Sequence, residues 1–122
     1  MQITKVVEDN LTIFRVTGAV SAEEIVTKAA EDMAAPQTEH SMWDFTHASS
    51  VKLTTAAVEK IARSLTTHAA HVDGGKVALV GSKMVNIGLG KVFQVFASLA
   101  GLPYTYRIFR NTRRAVDWLK AP

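Results

Sequence analysis

The chain has 122 residues, 48% of them hydrophobic and 20% charged, with a mean hydropathy of +0.10. That length fits one globular domain with a real core, spanning residues 1–122, and the balance lies far from the low-hydrophobicity, high-charge signature of disorder. Cysteine is missing, which excludes a disulfide framework, a thiolate zinc site and a catalytic thiol. Apolar runs such as Val77–Val80 are far too short to span a bilayer. Met1 leads into a strand-like segment rather than a basic stretch followed by an apolar one, so a soluble, cytoplasmic protein without a transmembrane segment is expected.

The net charge of +3 is unevenly spread. Residues 1–60 hold five Lys/Arg against nine Asp/Glu, and residues 61–122 hold nine against two. Either the second half presents a basic face to an anionic partner, or its charges are solvated and fold back toward the acidic half.

In chain order, Thr4–Thr17 reads as a β-hairpin. Ile3, Val6 and Val7 precede Glu8-Asp9-Asn10, and Asp and Asn tolerate the left-handed backbone of a tight turn. Leu11 and Ile13 give one face of the returning strand, and Gly18 is expected to end it. Ser21-Ala22-Glu23-Glu24 matches a capping box, in which the hydroxyl and the Glu24 carboxylate satisfy each other's free amides. The helix that follows is predicted to run to about Ala35, with Ile25, Ala29 and Met33 on one stripe and Pro36 beyond it.

Ser41–Phe45 reads as a short aromatic strand and Thr46–Leu53 as a loop. Thr54 or Thr55 then caps a helix in which Ala57, Val58, Ile61, Ala62 and Leu65 recur at helical spacing, with Asp73-Gly74-Gly75 as its stop. Lys76–Val80, closed by Gly81, suits a strand buried on both faces. A long apolar helix is predicted from around Val85 or Gly90 to Ala100, ended by Gly101 and Pro103. Tyr104–Phe109 is the last strand. Asn111 or Thr112 caps a terminal helix that packs through Ala115, Val116, Trp118 and Leu119. The order ββαβαβαβα implies an α/β fold with a mixed, mostly parallel sheet covered by helices.

This order, the strand Lys76-Val77-Ala78-Leu79-Val80-Gly81 and the ending Phe109-Arg110-Asn111-Thr112-Arg113-Arg114-Ala115-Val116-Asp117-Trp118-Leu119 resemble the SpoIIAA-like bacterial proteins. These are related in fold to the STAS anti-sigma-factor antagonists and to Sec14-type (CRAL-TRIO) lipid-binding domains. The resemblance implies a non-enzymatic binding domain, without a cofactor, that acts through a protein partner or, alternatively, holds a small apolar or lipid-like ligand. STAS antagonists resemble one another in a strand-end Asp and in an Asp-Ser-Ser/Thr-Gly loop whose first Ser is phosphorylated. Asp44 matches the strand-end Asp. At the switch the chain reads Lys52-Leu53-Thr54-Thr55, so Lys52 stands where the Asp would be, Leu53 in the acceptor position and Thr55 where the Gly would be, and of the two hydroxyl positions only that of Thr54 is kept. A kinase-regulated switch at that site is therefore not expected.

Ligands of open α/β sheets sit outside the carboxyl ends of the parallel strands, where Asp44, Thr46, Ser82, Lys83, Arg110 and Asn111 would gather. Asp44 and Lys83 would make an acid/base or anion-binding pair there; alternatively, Asp44 and Thr46 satisfy loop amides while Ser82 and Asn111 cap turns. Gly81, Gly88 and Gly90-Lys91 fail as a phosphate loop, because Val85 occupies the first glycine position and Val92 the magnesium-binding hydroxyl position. His68 and His71 share a spacing that would suit a metal, with only Asp73 near as a third ligand, and no metal site is expected. No nucleophile, base and orienting group can be matched, so no catalytic residue is assigned. Arg107, Arg110, Arg113 and Arg114 with Tyr104 and Tyr106 form a basic, aromatic strip, but strand alternation separates Arg107 from Ile108 and nucleic acid is not the expected partner.

The largest surplus is apolar. Val85, Leu89, Val92, Phe96 and Leu99 make one helical stripe, while Ile87, Phe93, Val95 and Leu102 lie outside it. Burial, a homodimer interface and an apolar ligand groove each account for that. In the ligand form, Phe93 and Phe96 line a groove between this helix and the sheet, Gly88 and Gly90 loosen the first turn, and Lys83, Lys91 and Arg110 receive an anionic head.

Overall fold

The computed structural model describes residues 2–51, 53–69 and 74–122; the side chains of residues 2, 49–51 and 84–86 lie outside that description. Among these residues the elements run β1 (Gln2–Glu8), β2 (Leu11–Val20), α1 (Ala22–Ala34), β3 (His40–Val51), α2 (Thr55–Thr66), β4 (Gly75–Val80), α3 (Met84–Ala100), β5 (Tyr104–Phe109) and α4 (Thr112–Lys120). The strands lie side by side in chain order. β1 is antiparallel to β2, and every later pairing is parallel.

The hairpin closes through Asp9 and Asn10 at φ of 52° and 63°, between the paired residues Glu8 and Leu11. Two left-handed residues in a two-residue loop match the strand twist, which is why Asp and Asn stand there. The Ser21 capping box forms as expected: the Glu24 amide donates to Ser21 Oγ at 3.2 Å, and the Ser21 amide donates to Glu24 Oε1 at 2.9 Å.

Each parallel connection moves one strand in the same direction. Crossovers of constant hand then place their helices on one face, and α1, α2 and α3 do share a face. Ile25, Ala29, Met33, Ile61, Leu65 and Ala97 pack there against Phe14, Val16, Trp43, Val77 and Tyr106. α4 folds back over the opposite face, where Ala115 and Leu119 meet Leu11, Ile13, Met42, Ala78 and Val80. β4 is thus covered on both sides, with Val77 turned to one layer and Ala78 and Val80 to the other.

Three boundaries depart from the sequence reading. Gly18 does not end β2; it takes φ of 72° and the strand continues to Val20. The expected loop from Thr46 is strand as far as Val51, because the prolonged β2 supplies a pairing partner: Thr17 stands beside His47, Gly18 beside Ala48 and Val20 beside Val51. α2 stops at Thr66, well before the glycines, with Thr67 as its cap. His68 therefore lies beyond the helix, and His71 and Asp73 fall outside the described residues. Among the described residues no group of three His, Asp or Glu is placed to hold a metal ion, and no helix is long and apolar enough to cross a membrane.

Candidate functional site

A cavity of about 110 Å³ lies between the sheet and the three-helix layer. Its floor is the inner face of the strands: Phe14 of β2, Trp43 and Phe45 of β3, Leu79 of β4, and Tyr104, Tyr106 and Ile108 of β5. Strand alternation explains the set, since residues two apart share a face. Phe14 stacks on Trp43 with ring centroids 4.4 Å apart, and Trp43 stacks on Phe45 at 6.1 Å. The roof comes from Ile25 and Met33 of α1, Ile61 and Leu65 of α2, and Leu89, Gly90 and Phe93 of α3. Phe93 meets Tyr106 edge to face at 5.0 Å.

Among the described residues one carboxylate, Asp32 of α1, lines this apolar space. Lys5 Nζ of β1 stands 3.1 Å from its Oδ1, yet the approach lies outside hydrogen-bond geometry, and that shielded oxygen accepts no hydrogen bond. Burial raises the Tyr104 hydroxyl above its ordinary pKa, and the negative charge of Asp32 adds to the shift. Tyr106 is pushed well above the ordinary tyrosine range, mainly by burial and further by Tyr104. Both phenols are neutral at physiological pH.

The residues expected to form one site are divided among several places. Asp44 is 5% exposed and shares the α4 face of β3 with Met42. Its Oδ1 accepts from the Thr46 amide at 2.9 Å and from Thr46 Oγ1 at 2.6 Å, where β3 bulges against β2 between Arg15 and Thr17. It braces an irregular strand, as the loop-amide reading has it. Ser82, Lys91 and Arg110 are exposed. Lys83 caps α3 without a side-chain cap bond, and its Nζ donates to the Ala48 carbonyl at 3.4 Å. Asn111, not Ser82, is the side chain that caps a helix, accepting the Arg114 amide at 2.9 Å. Phe93 lines the cavity; Phe96 is half-buried outside it.

α3 is also turned differently from the hydropathy stripe. Ile87 and Ala97 are buried, with Gly90 and Phe93 between them against the sheet, whereas Val95 is 57% and Leu99 78% exposed. The helix is continuous from Met84, so the glycines do not loosen its first turn. A Cβ on Gly90 would stand 3.1 Å from Ile108 Cγ1, while one on Gly88 would meet nothing within 4 Å. The contact line runs through a residue with no side chain, which a hydropathy count cannot see.

No protein-family model and no curated protein matches the sequence. Solved structures do. The anti-sigma factor antagonist SpoIIAA in its unphosphorylated form aligns over 99% of this chain and 100% of its own, with a TM-score of 0.56 at 11% identity. The Bacillus cell fate determinant SpoIIAA in its phosphorylated form aligns over 98% and 100%, with a TM-score of 0.52 at 18% identity. The fold is SpoIIAA-like.

Within this SpoIIAA-like fold, the position that the resemblance assigns to the phosphorylated Ser belongs to the cavity. Leu53 is half-buried and forms part of its wall. Thr54 Oγ1 accepts the Ala57 amide at 3.1 Å as the cap of α2. Lys52 lies outside the described residues.

Sequence reasoning missed Asp32, Tyr104 and the Phe14–Trp43 stack as wall residues. A signal for Asp32 was present: it follows Ile25 by seven residues and Ala29 by three, which places a carboxylate on the packing face of α1. Nothing local in the sequence marks the empty volume, because it depends on how α3 seats on β5.

Proposed function

We propose that this chain is a non-enzymatic, cytoplasmic interaction domain that regulates a protein partner through its SpoIIAA-like scaffold, without a phosphorylatable Ser at the switch. The observation that carries the reading is the outer face of α3. Val95 and Leu99 are large apolar side chains one helical turn apart, and both stand mostly in solvent. Packing within the domain does not use either side chain, and a partner that covers both would remove their apolar surface from water. Self-association through this face is one form of the reading. Phe93 is not part of this face, since it lines the cavity.

The test is affinity purification from native cells with the wild type and the Val95→Glu/Leu99→Glu variant, alongside sedimentation of both proteins. A stoichiometric partner, or a dimer, that is lost in the variant supports the proposal. A monomer with no stoichiometric partner, or a partner retained by the variant, rejects it. Mass spectrometry of the same native material should show Thr54 and Thr55 unphosphorylated; high occupancy at either would restore a kinase switch.

The cavity favours a second reading, a small apolar ligand held between α3 and the sheet. Its volume approaches the ~150 Å³ of engineered apolar cavities that bind benzene.

A further inference from the structure

The ligand expected from sequence carries an anionic head, but the charge in the cavity wall has the opposite sign. Among the described residues, no Lys, Arg or His lines it, and Asp32 does. From these facts we infer that the cavity takes a compact apolar molecule, about the size of one six-membered ring, whose single polar end is an ammonium group directed at Asp32. The inference deepens the apolar-ligand reading and rests on it.

Three observations support this choice. First, the space is small. A cavity of about 110 Å³ lies below the ~150 Å³ of cavities that take benzene, so one small ring already fills it and a long acyl chain would require the helices to part. Second, Asp32 has spare hydrogen-bonding capacity. A carboxylate offers about four acceptor positions, and its shielded Oδ1 accepts no hydrogen bond although Lys5 Nζ is ion-paired beside it at 3.1 Å. Lys5 balances the charge from β1 but is not part of the cavity wall. It leaves an acceptor that an ammonium group can satisfy with charge-assisted hydrogen bonds. Third, the remaining hydroxyls of the wall donate as well as accept and so permit the same end, and Asp32 decides between an ammonium and a carboxylate. Ser41 and the neutral hydroxyls of Tyr104 and Tyr106 can accept hydrogen bonds from an ammonium, while a carboxylate ligand placed there would face Asp32 across an apolar, poorly screening space.

The probes are benzylamine, toluene and benzoate, which share a ring and differ in the charge of the arm. Binding to the full chain at neutral pH is followed by calorimetry and by amide chemical shifts of residues in α1, α3 and β5. Benzylamine should bind about tenfold more tightly than toluene, the worth of one charge-assisted hydrogen bond, and benzoate more weakly than either. Asp32→Asn should bring benzylamine down to the toluene level. Lys5→Gln provides an opposite check that does not depend on removing the carboxylate: with the competing cation gone, benzylamine should bind more tightly than to the wild type. Toluene and benzylamine binding equally would overturn the inference and leave the apolar-ligand reading intact. Benzoate binding best would overturn it in favour of an anionic ligand. No binding by any probe would remove the inference and the apolar-ligand reading together.

Discussion

Gly90 of α3 seats directly on Ile108 of β5: a Cβ at Gly90 would come within 3.1 Å of Ile108 Cγ1. This contact sets the distance between α3 and the sheet, and so the height of the cavity that Gly90, Phe93 and Ile108 line together. Gly88, two residues earlier, faces open space. The two glycines thus make a controlled pair within one helix. Gly88→Ala should stabilise the protein by about 0.5–1 kcal/mol through helix propensity alone. Gly90→Ala gains the same propensity but must displace Ile108, so it should fall short of Gly88→Ala by about 1 kcal/mol or more. Urea denaturation of both variants measures the gap, and equal gains would show that Gly90 is not the close contact.

Asp44 is expected to act on stability rather than on ligand affinity. Its Oδ1 accepts two hydrogen bonds from Thr46 in a nearly solvent-free position. Asp44→Ala leaves the Thr46 amide without that acceptor and should cost about 1–3 kcal/mol. Asp44→Asn keeps an acceptor oxygen and should lose less. A full loss of stability in Asp44→Asn equal to that of Asp44→Ala would argue for a role of the charge itself.

α4 is held to the sheet by a lysine as well as by its apolar face. Lys76 Nζ donates to the Trp118 carbonyl at 2.9 Å and to the Ala121 carbonyl at 2.7 Å, and it lies 5.4 Å from the centre of a Trp118 ring. A cation at the helix C-terminus satisfies orphan carbonyls and complements the helix dipole. Lys76→Met retains the stem and removes these bonds. It should cost about 1–2 kcal/mol and speed amide exchange in the last turn of α4. Unchanged exchange there would assign the docking of α4 to Ala115 and Leu119 alone.

Stability should fall in alkaline solution. Tyr106 keeps its proton in the folded state well above the ordinary value of 10.0, and Tyr104 shifts the same way. Above pH 10 the unfolded chain ionises these phenols while the folded chain does not, so the folded state binds more protons and loses stability as pH rises. Tyr106, the more buried of the two, should contribute up to about 1.4 kcal/mol per pH unit in that window. Below pH 9 the effect should vanish. Denaturation midpoints between pH 9 and 11 test this, and Tyr106→Phe should flatten the slope.

Local signals in the sequence determined the element order, because each start and stop rests on residues next to it in the chain. The Asp9-Asn10 turn, the Ser21 and Glu24 box, the Asn111 cap and the Gly101 stop act within a few residues of themselves. The alternation that sets Tyr104, Tyr106 and Ile108 against Arg107 and Phe109 is equally local. Tertiary structure decided the rest. β3 reaches Val51 only because β2 runs on beside it, and a strand's length depends on its partner. Asp44 and Phe93, expected in one site, lie on opposite faces of the sheet, since which layer covers each face follows from the crossovers rather than from either residue. The cavity belongs wholly to this second class. It is space left where α1, α2 and α3 meet the strands, and empty volume arises from how side chains distant in sequence fit together.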